Sequence, residues 1–140
     1  MVITAAECHD PLMELLPHNP SSGVYPASDD YVHAMEVRNP SRLVYVAGTM
    51  GLDQHGVPAA SLEEQLGLIW NNIRTILAAA DMTVDNIVRL TSYLRDPVYA
   101  EANARARVEA LKGRPVPTTA IVAQTLESSW LVEIEVIAAD

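Results

Sequence analysis

The sequence predicts an α+β fold, with two helices packed on one face of a mixed sheet. Three observations predict it. Apolar residues recur at helical spacing over residues 62–80 and, more weakly, over residues 97–110. Runs rich in β-branched residues stand before, between and after these stretches. The resulting order is ββαβαββ, which mixes strands and helices without strict βα alternation.

One domain is the natural expectation for 140 residues. Apolar residues make up 49% and charged residues 19%, enough to build a core and too little charge for a disordered chain. The net charge of −9 argues against a nucleic-acid or anionic-membrane surface, since both need Lys/Arg patches. No stretch approaches the roughly 20 consecutive apolar residues of a membrane span. The first twenty residues carry Glu7, Asp10 and Glu14 and lack the basic start of a signal peptide. The single cysteine, Cys8, allows no internal disulfide and fits a reducing cytoplasm.

Residues 1–22 read as an arm or extension, with at most one helical turn, punctuated by Pro11, Pro17 and Pro20. Cys8, His9 and His18 lie on it, but their spacing matches no metal-site type. Residues 23–140 read as one domain. It opens as a β-hairpin, with strands around residues 31–38 and 42–47 and a turn at Asn39-Pro40-Ser41. Gly48 and Gly51 then break the second strand, where the backbone can approach a ligand or another chain, or can make a bulge.

After a loop, Ser61-Leu62-Glu63-Glu64 reads as a capping box that starts a helix. Leu62, Leu66, Ile69, Trp70, Ile73, Ile76 and Leu77 form its apolar stripe. Residues 86–95 alternate as a strand, with Arg89, Thr91, Tyr93 and Arg95 sharing a face. Asp96 and Pro97 start the second helix, which is Ala-rich and ends near Gly113.

Residues 114–140 carry the most telling pattern. A strand after Pro117 leads through a Glu-Ser-Ser turn into Leu131-Val132-Glu133-Ile134-Glu135-Val136-Ile137. Val132, Ile134 and Val136 line one face. Leu131, Glu133, Glu135 and Ile137 line the other. Two carboxylates thus share a face with apolar residues, and buried carboxylates need partners. Either that face opens on solvent or it lines a site. With Tyr93, Leu131 and Ile137 on it, the face is also apolar enough to be covered by a second subunit.

Three segments together resemble the Rid family of reactive intermediate deaminases, also called the YjgF family. They are Leu43-Val44-Tyr45-Val46-Ala47-Gly48, the stretch from Asp85-Asn86-Ile87-Val88-Arg89 to Tyr93-Leu94-Arg95-Asp96, and Val132-Glu133-Ile134-Glu135-Val136-Ile137-Ala138. The resemblance implies a homotrimer with a small-molecule cleft between subunits. It implies hydrolysis of enamine or imine intermediates to keto acids and ammonia, with no cofactor and no metal. Tyr31 falls at the family's cleft tyrosine, Gly48 at the glycine whose backbone faces the ligand, and Asn103 at the asparagine of the second helix. Glu133 falls at the glutamate that positions the attacking water. The chain departs from the family at Pro-x-Arg-Ser, which here reads Pro117-Thr118-Thr119-Ala120. Thr119 replaces the arginine that holds the substrate carboxylate, and Ile121 follows in the cleft.

A bidentate guanidinium supplies charge and orientation, whereas threonine supplies one hydroxyl. The departure therefore implies an atypical substrate. Arg114 is a candidate for a displaced cation, and Arg105 and Arg107 read as solvated helix charges. Three readings follow. The first is a hydrolase of an enamine, imine or related C–N bond, with Glu133 as the catalytic residue and Thr118, Thr119 and Ile121 in the cleft. The second is a non-catalytic trimer that binds a small molecule or a partner. The third is a specialised pathway enzyme doing other C–N or tautomerisation chemistry in the same cleft, helped by His33. For Glu133 a purely structural pairing with Arg89, Arg95 or another subunit stands beside the catalytic role. Ribonuclease activity finds no phosphate footprint in so acidic a chain.

Overall fold

The computed structural model describes residues 11–140. Its elements in chain order are strands β1 (Glu14–His18), β2 (Ala34–Arg38) and β3 (Leu43–Met50), helix α1 (Leu62–Ala79), strand β4 (Ile87–Leu94), helix α2 (Ala100–Ala110), and strands β5 (Thr118–Val122) and β6 (Val132–Ala139). Short 3₁₀ turns at Val84–Asn86 and Pro97–Tyr99 lead into β4 and α2. The main sheet has the order β3-β6-β4-β5. β6 lies antiparallel to β3 and β4, and β4 runs parallel to β5. A parallel pair needs a long crossover, and α2 provides it. The architecture is the expected α+β arrangement of two helices on a mixed sheet.

Alternation sorts the sheet into two faces. Val132, Ile134 and Val136 of β6 and Leu90 and Leu94 of β4 are buried against Leu66, Ile69, Trp70, Ile73 and Leu77 of α1. α2 carries little apolar surface and meets this core through small residues, with Ala102 and Ala106 packed at its edge and Ala110 inside it. Ile69 is fully enclosed. Ile69→Ala is expected to destabilise the fold by about 2–5 kcal/mol, because the methyls removed leave a cavity in a packed core. The urea midpoint reads this directly. At the start of α1, Ser61 Oγ accepts from Glu64 N at 3.2 Å, so half of the expected capping box is present.

The hairpin expected over residues 23–50 is not formed. Both of its strands exist, but β2 pairs antiparallel with β1, from Glu14↔Arg38 to His18↔Ala34, and β3 pairs with β6. The physical reason lies in the linking turn. The N–H groups of Ser41 and Arg42 both donate to Asp140 O, at 2.6 and 3.1 Å. The Arg42 side chain holds the Asp140 carboxylate and donates to Ala80 O at 2.7 Å. These bonds commit the start of β3 to the chain terminus, and β2 finds its partner in the arm instead. Within the arm, residues 14–18 are therefore a strand rather than a helical turn, while Cys8 and His9 lie outside the described residues.

A second correction concerns Arg107, which is 6% exposed rather than solvated. Its guanidinium donates to Asp30 O at 2.7 Å and Asp30 Oδ2 at 2.6 Å, bracing the segment before β2 against α2. Hydrogen bonds from Ser28 and Arg107 hold the Asp30 carboxyl below its ordinary value of 3.8. A carboxyl lowered by folding stabilises above its unfolded pKa and loses that contribution as pH falls through the folded one. Asp30→Asn is thus expected to be less stable than wild type above about pH 4, with the two urea midpoints converging under more acid conditions.

Candidate functional site

The second face of the main sheet bears no helix. The ladder registers arrange its side chains in rows. Tyr45 of β3, Ile137 of β6 and Arg89 of β4 form the first, from the pairs Tyr45↔Ile137 and Arg89↔Ile137. Glu135, Thr91 and Thr119 form the second, from Thr91↔Glu135 and Thr91↔Thr119. Glu133, Tyr93 and Ile121 form the third. The β3–β6 ladder shifts register between Val46 and Thr49, so Ala47 and Gly48 bulge opposite Glu135. Tyr45 is 71% exposed and Ile121 47% exposed, so this face is apolar as well as charged.

The bulge has a consequence for Glu133. A Cβ on Gly48 would stand 2.7 Å from Glu133 Oε1 and 2.9 Å from its Cδ. The carboxylate therefore lies across the bare backbone of Gly48, a position only glycine leaves open. No cation among the described residues lies within ion-pair distance of Glu133, so the pairing with Arg89 or Arg95 is absent. Arg95 instead donates to Thr125 O and Thr125 Oγ1, at 2.9 and 3.0 Å, pinning the loop between β5 and β6.

The neighbouring carboxylate is engaged differently. Tyr93 donates its phenolic O–H to Glu135 Oε1 at 2.6 Å. That bond, with partial desolvation, raises the phenol above its ordinary value. Arg89 turns the other way and donates through Nη2 to Thr119 Oγ1 at 2.8 Å. It is the only cation carried by the four strands of the main sheet. Tyr45, Ala47, Arg89, Thr91, Glu135 and Ile137 line a hollow of about 530 Å³. A second hollow of about 570 Å³ follows β3 past Gly48 to Met50, Leu52 and Asn72, and shares Tyr45 and Ala47 with the first.

Of the residues singled out by sequence, this face brings together Gly48, Thr119, Ile121 and Glu133. Thr118 pairs with inward-facing Leu90, and its hydroxyl donates to Val116 O at 2.9 Å. Asn103 is buried in the helical layer, where its Oδ1 has no partner. Tyr31 bridges to Val116 beside the start of β5. His33 packs edge-on against both Tyr25 and Tyr31, and its Nε2 is 2.8 Å from Tyr25 O. Arg114 is turned away from the face: its Nη2 donates to Val84 O at 2.8 Å, and burial lowers its pKa. Arg105 pairs with Glu101 on the surface. Neither supplies a cation to the open face.

Sequence reasoning missed Arg89 as the cation beside Thr119. The alternation of β4 already put Arg89, Thr91 and Tyr93 on one face. What it lacked was the parallel register that sets β5 alongside. It also missed Gln65, a 2% exposed amide that ties three loop backbone groups together. Among the described residues no group of His, Cys, Asp and Glu is arranged to hold a metal ion, and no helix is long and apolar enough to cross a membrane.

Known proteins resemble this chain in sequence and in fold. The family model described as endoribonuclease L-PSP matches residues 23–140. The RutC family protein YjgH of Escherichia coli is 32% identical over 97 residues, covering 69% of this chain and 74% of YjgH. The crystal structure of YyfB, a conserved Rid-family protein from Yersinia pestis, is 25% identical and superposes with a TM-score of 0.79, covering 90% of this chain and 98% of YyfB. RidA from the Antarctic bacterium Psychrobacter shares the fold at 23% identity, with a TM-score of 0.67 over 81% of this chain and 97% of RidA. A bulged glycine beneath a glutamate, on the helix-free face of a mixed sheet, is thus set in a chain that belongs to the Rid/YjgF (endoribonuclease L-PSP) family.

Proposed function

We propose that this chain is a hydrolase of an enamine, imine or related C–N bond in a small metabolite. It works as a homotrimer whose cleft includes the helix-free face. The observation that carries this reading is the Glu133 carboxylate, laid across Gly48 with no cation among the described residues upon it. A carboxylate so placed can hold a water and accept its proton. In the reaction, an enamine first takes a proton from solvent on carbon and becomes the iminium ion. Water then adds through oxygen to the iminium carbon, and Glu133 takes one of its protons, leaving a neutral carbinolamine. Glu133 returns that proton to the nitrogen, the C–N bond breaks to release ammonia, and the hydroxyl gives its remaining proton back to solvent as the carbonyl forms. The step is a hydrolysis and changes no oxidation state. Glu135, engaged by Tyr93, orders the sheet beside it.

A second reading, a non-catalytic trimer that binds a small molecule, is favoured by one observation. Thr119 stands where the family pattern has its carboxylate-binding arginine. Ammonia release from a panel of freshly generated imines, with and without the protein, separates the two. Acceleration of at least one imine above the spontaneous rate is expected. Absence of acceleration across the panel, with a ligand still bound, selects the binding protein. Sedimentation of the native chain is expected to give three times the 15.2 kDa protomer mass. A monomer overturns the intersubunit cleft.

A further inference from the structure

We infer that Arg107 is a positioning residue of the proposed site: through Asp30 it sets the ring of Tyr31 at the edge of the main sheet, so that the Tyr31 hydroxyl meets the ligand in one orientation. The inference rests on the proposed cleft, to which the family pattern assigns Tyr31, for what that hydroxyl touches. The device that holds Tyr31 is independent of any reaction.

The brace begins on α2. The buried guanidinium of Arg107 grips one residue twice, with Nη1 donating to Asp30 O at 2.7 Å and Nη2 to Asp30 Oδ2 at 2.6 Å. Asp30 O belongs to the peptide unit that leads into Tyr31. That unit is planar, so holding its oxygen also fixes the direction in which Tyr31 leaves. The other carboxylate oxygen of Asp30 accepts from the Ser28 hydroxyl. The backbone of Tyr31 then bridges to Val116, two residues before β5, which is the edge strand of the main sheet. Desolvation cancels much of what a buried ion pair adds to stability, whereas a rigid fork with two fixed bonds supplies geometry.

The ring is held as well as the backbone. His33 packs edge-on against Tyr31, with ring centroids 5.7 Å apart, and against Tyr25 at 5.1 Å. A carbonyl only accepts, so the His33 Nε2 that stands 2.8 Å from Tyr25 O carries the hydrogen. The backbone N–H of His33 donates to Asn19 Oδ1 at 2.8 Å. The loop from Asn19 to His33 is thereby closed on itself around Tyr31, and Arg107 ties it to the helical layer. The phenol itself is left over. Among the described residues no hydrogen bond engages the Tyr31 hydroxyl, which can both donate and accept. Beyond the bridge at Val116, β5 carries Thr119 and Ile121 onto the open face. An ordered phenol with an unused hydroxyl thus stands where β5 enters the site. A ligand gains from that order, because a ring already fixed loses no rotamer freedom on binding.

The test places 3-fluorotyrosine at all five tyrosines of the native oligomer and reads the fluorine NMR signal that Tyr31→Phe removes. Arg107→Gln is expected to collapse that signal toward the shift of free 3-fluorotyrosine and to leave the Tyr45 and Tyr93 signals in place. Asp30→Asn, which keeps the bond to the carbonyl and loses the ion pair, is expected to move it part of the way, and it carries the test should the glutamine variant not fold. On the imine hydrolysed fastest in the panel above, Arg107→Gln and Tyr31→Phe are each expected to lower kcat/KM about tenfold, the worth of one hydrogen bond to the ligand. Together they are expected to lower it no further than Tyr31→Phe alone, because Arg107 acts through that hydroxyl. An unmoved Tyr31 signal overturns the inference. So do losses that multiply in the double variant, and so does a shift of all five signals, since each makes Arg107 a support of the whole fold. A Tyr31 signal freed by Arg107→Gln, with no ammonia released from any imine, leaves the positioning device standing and removes the hydrolase. Hydrolysis that Arg107→Gln leaves intact, with the signal unmoved, does the reverse.

Discussion

Glu133→Gln is expected to lower imine hydrolysis by about 10²- to 10⁴-fold, the range that a positioned proton acceptor contributes. The amide keeps the size and hydrogen-bonding reach of the carboxylate and cannot take a proton from water. Unfolding should be little changed, because Glu133 forms no ion pair within the described chain. Gly48→Ala is the sharper companion. Its new Cβ falls 2.7 Å from Glu133 Oε1, 2.9 Å from Cδ and 3.1 Å from Cγ. The side chain has to swing aside, and as the free end of a flexible residue it does so at little cost in stability. The carboxylate proposed to be catalytic is nonetheless displaced. The pair should therefore share a large fall in kcat with nearly native urea midpoints. A Gly48→Ala protein with native kcat sinks the assignment of Glu133, whatever the glutamine variant does.

Gln65→Leu is expected to destabilise the fold by about 3 kcal/mol or more, since each buried polar group left unpaired costs roughly 1–3 kcal/mol. The Gln65 amide donates to Ala59 O at 2.9 Å and Ser129 O at 2.8 Å, and accepts from Leu131 N at 3.0 Å. Leucine fills a similar volume and orphans all three. Gln65 cannot relax to compensate, because a Cβ on Gly51 would already stand 2.5 Å from its Cα, so α1 sits directly on the backbone of β3's end. The effect should reach the site. Leu131 lies two residues before Glu133, and its N–H fixes where β6 begins. Gln65→Leu should lower the urea midpoint and the hydrolysis rate together, while Ile69→Ala lowers the midpoint alone. A Gln65→Leu protein of native stability shows that water already satisfies those groups.

The two faces of β6 illustrate what is local. Val132, Ile134 and Val136 against Glu133, Glu135 and Ile137 is a period-two pattern that any strand must obey, and the structure sorts them that way. The same holds for the Arg89, Thr91, Tyr93 face of β4 and for the α1 stripe, except at Ile76, which the structure leaves exposed. Arg107 shows where such reading stops. On an Ala-rich helix it looks like a solvated charge. Only the approach of Asp30, 77 positions away in sequence, makes it a buried brace. Arg114 fails similarly, its guanidinium spent on Val84 O.

By itself, then, the sequence determined the elements after the arm, the alternation of the main-sheet strands and the family, because these follow from short-range periodicity and from motif order along the chain. Tertiary structure alone decided which strand lies beside which. It gave β2 to the arm, since the Asp140 carboxylate and carbonyl claim the start of β3. It set β5 parallel to β4 and so laid Arg89 against Thr119. Pairings of this kind depend on contacts between distant segments, which no local period encodes. The chemistry proposed for the open face depends on them.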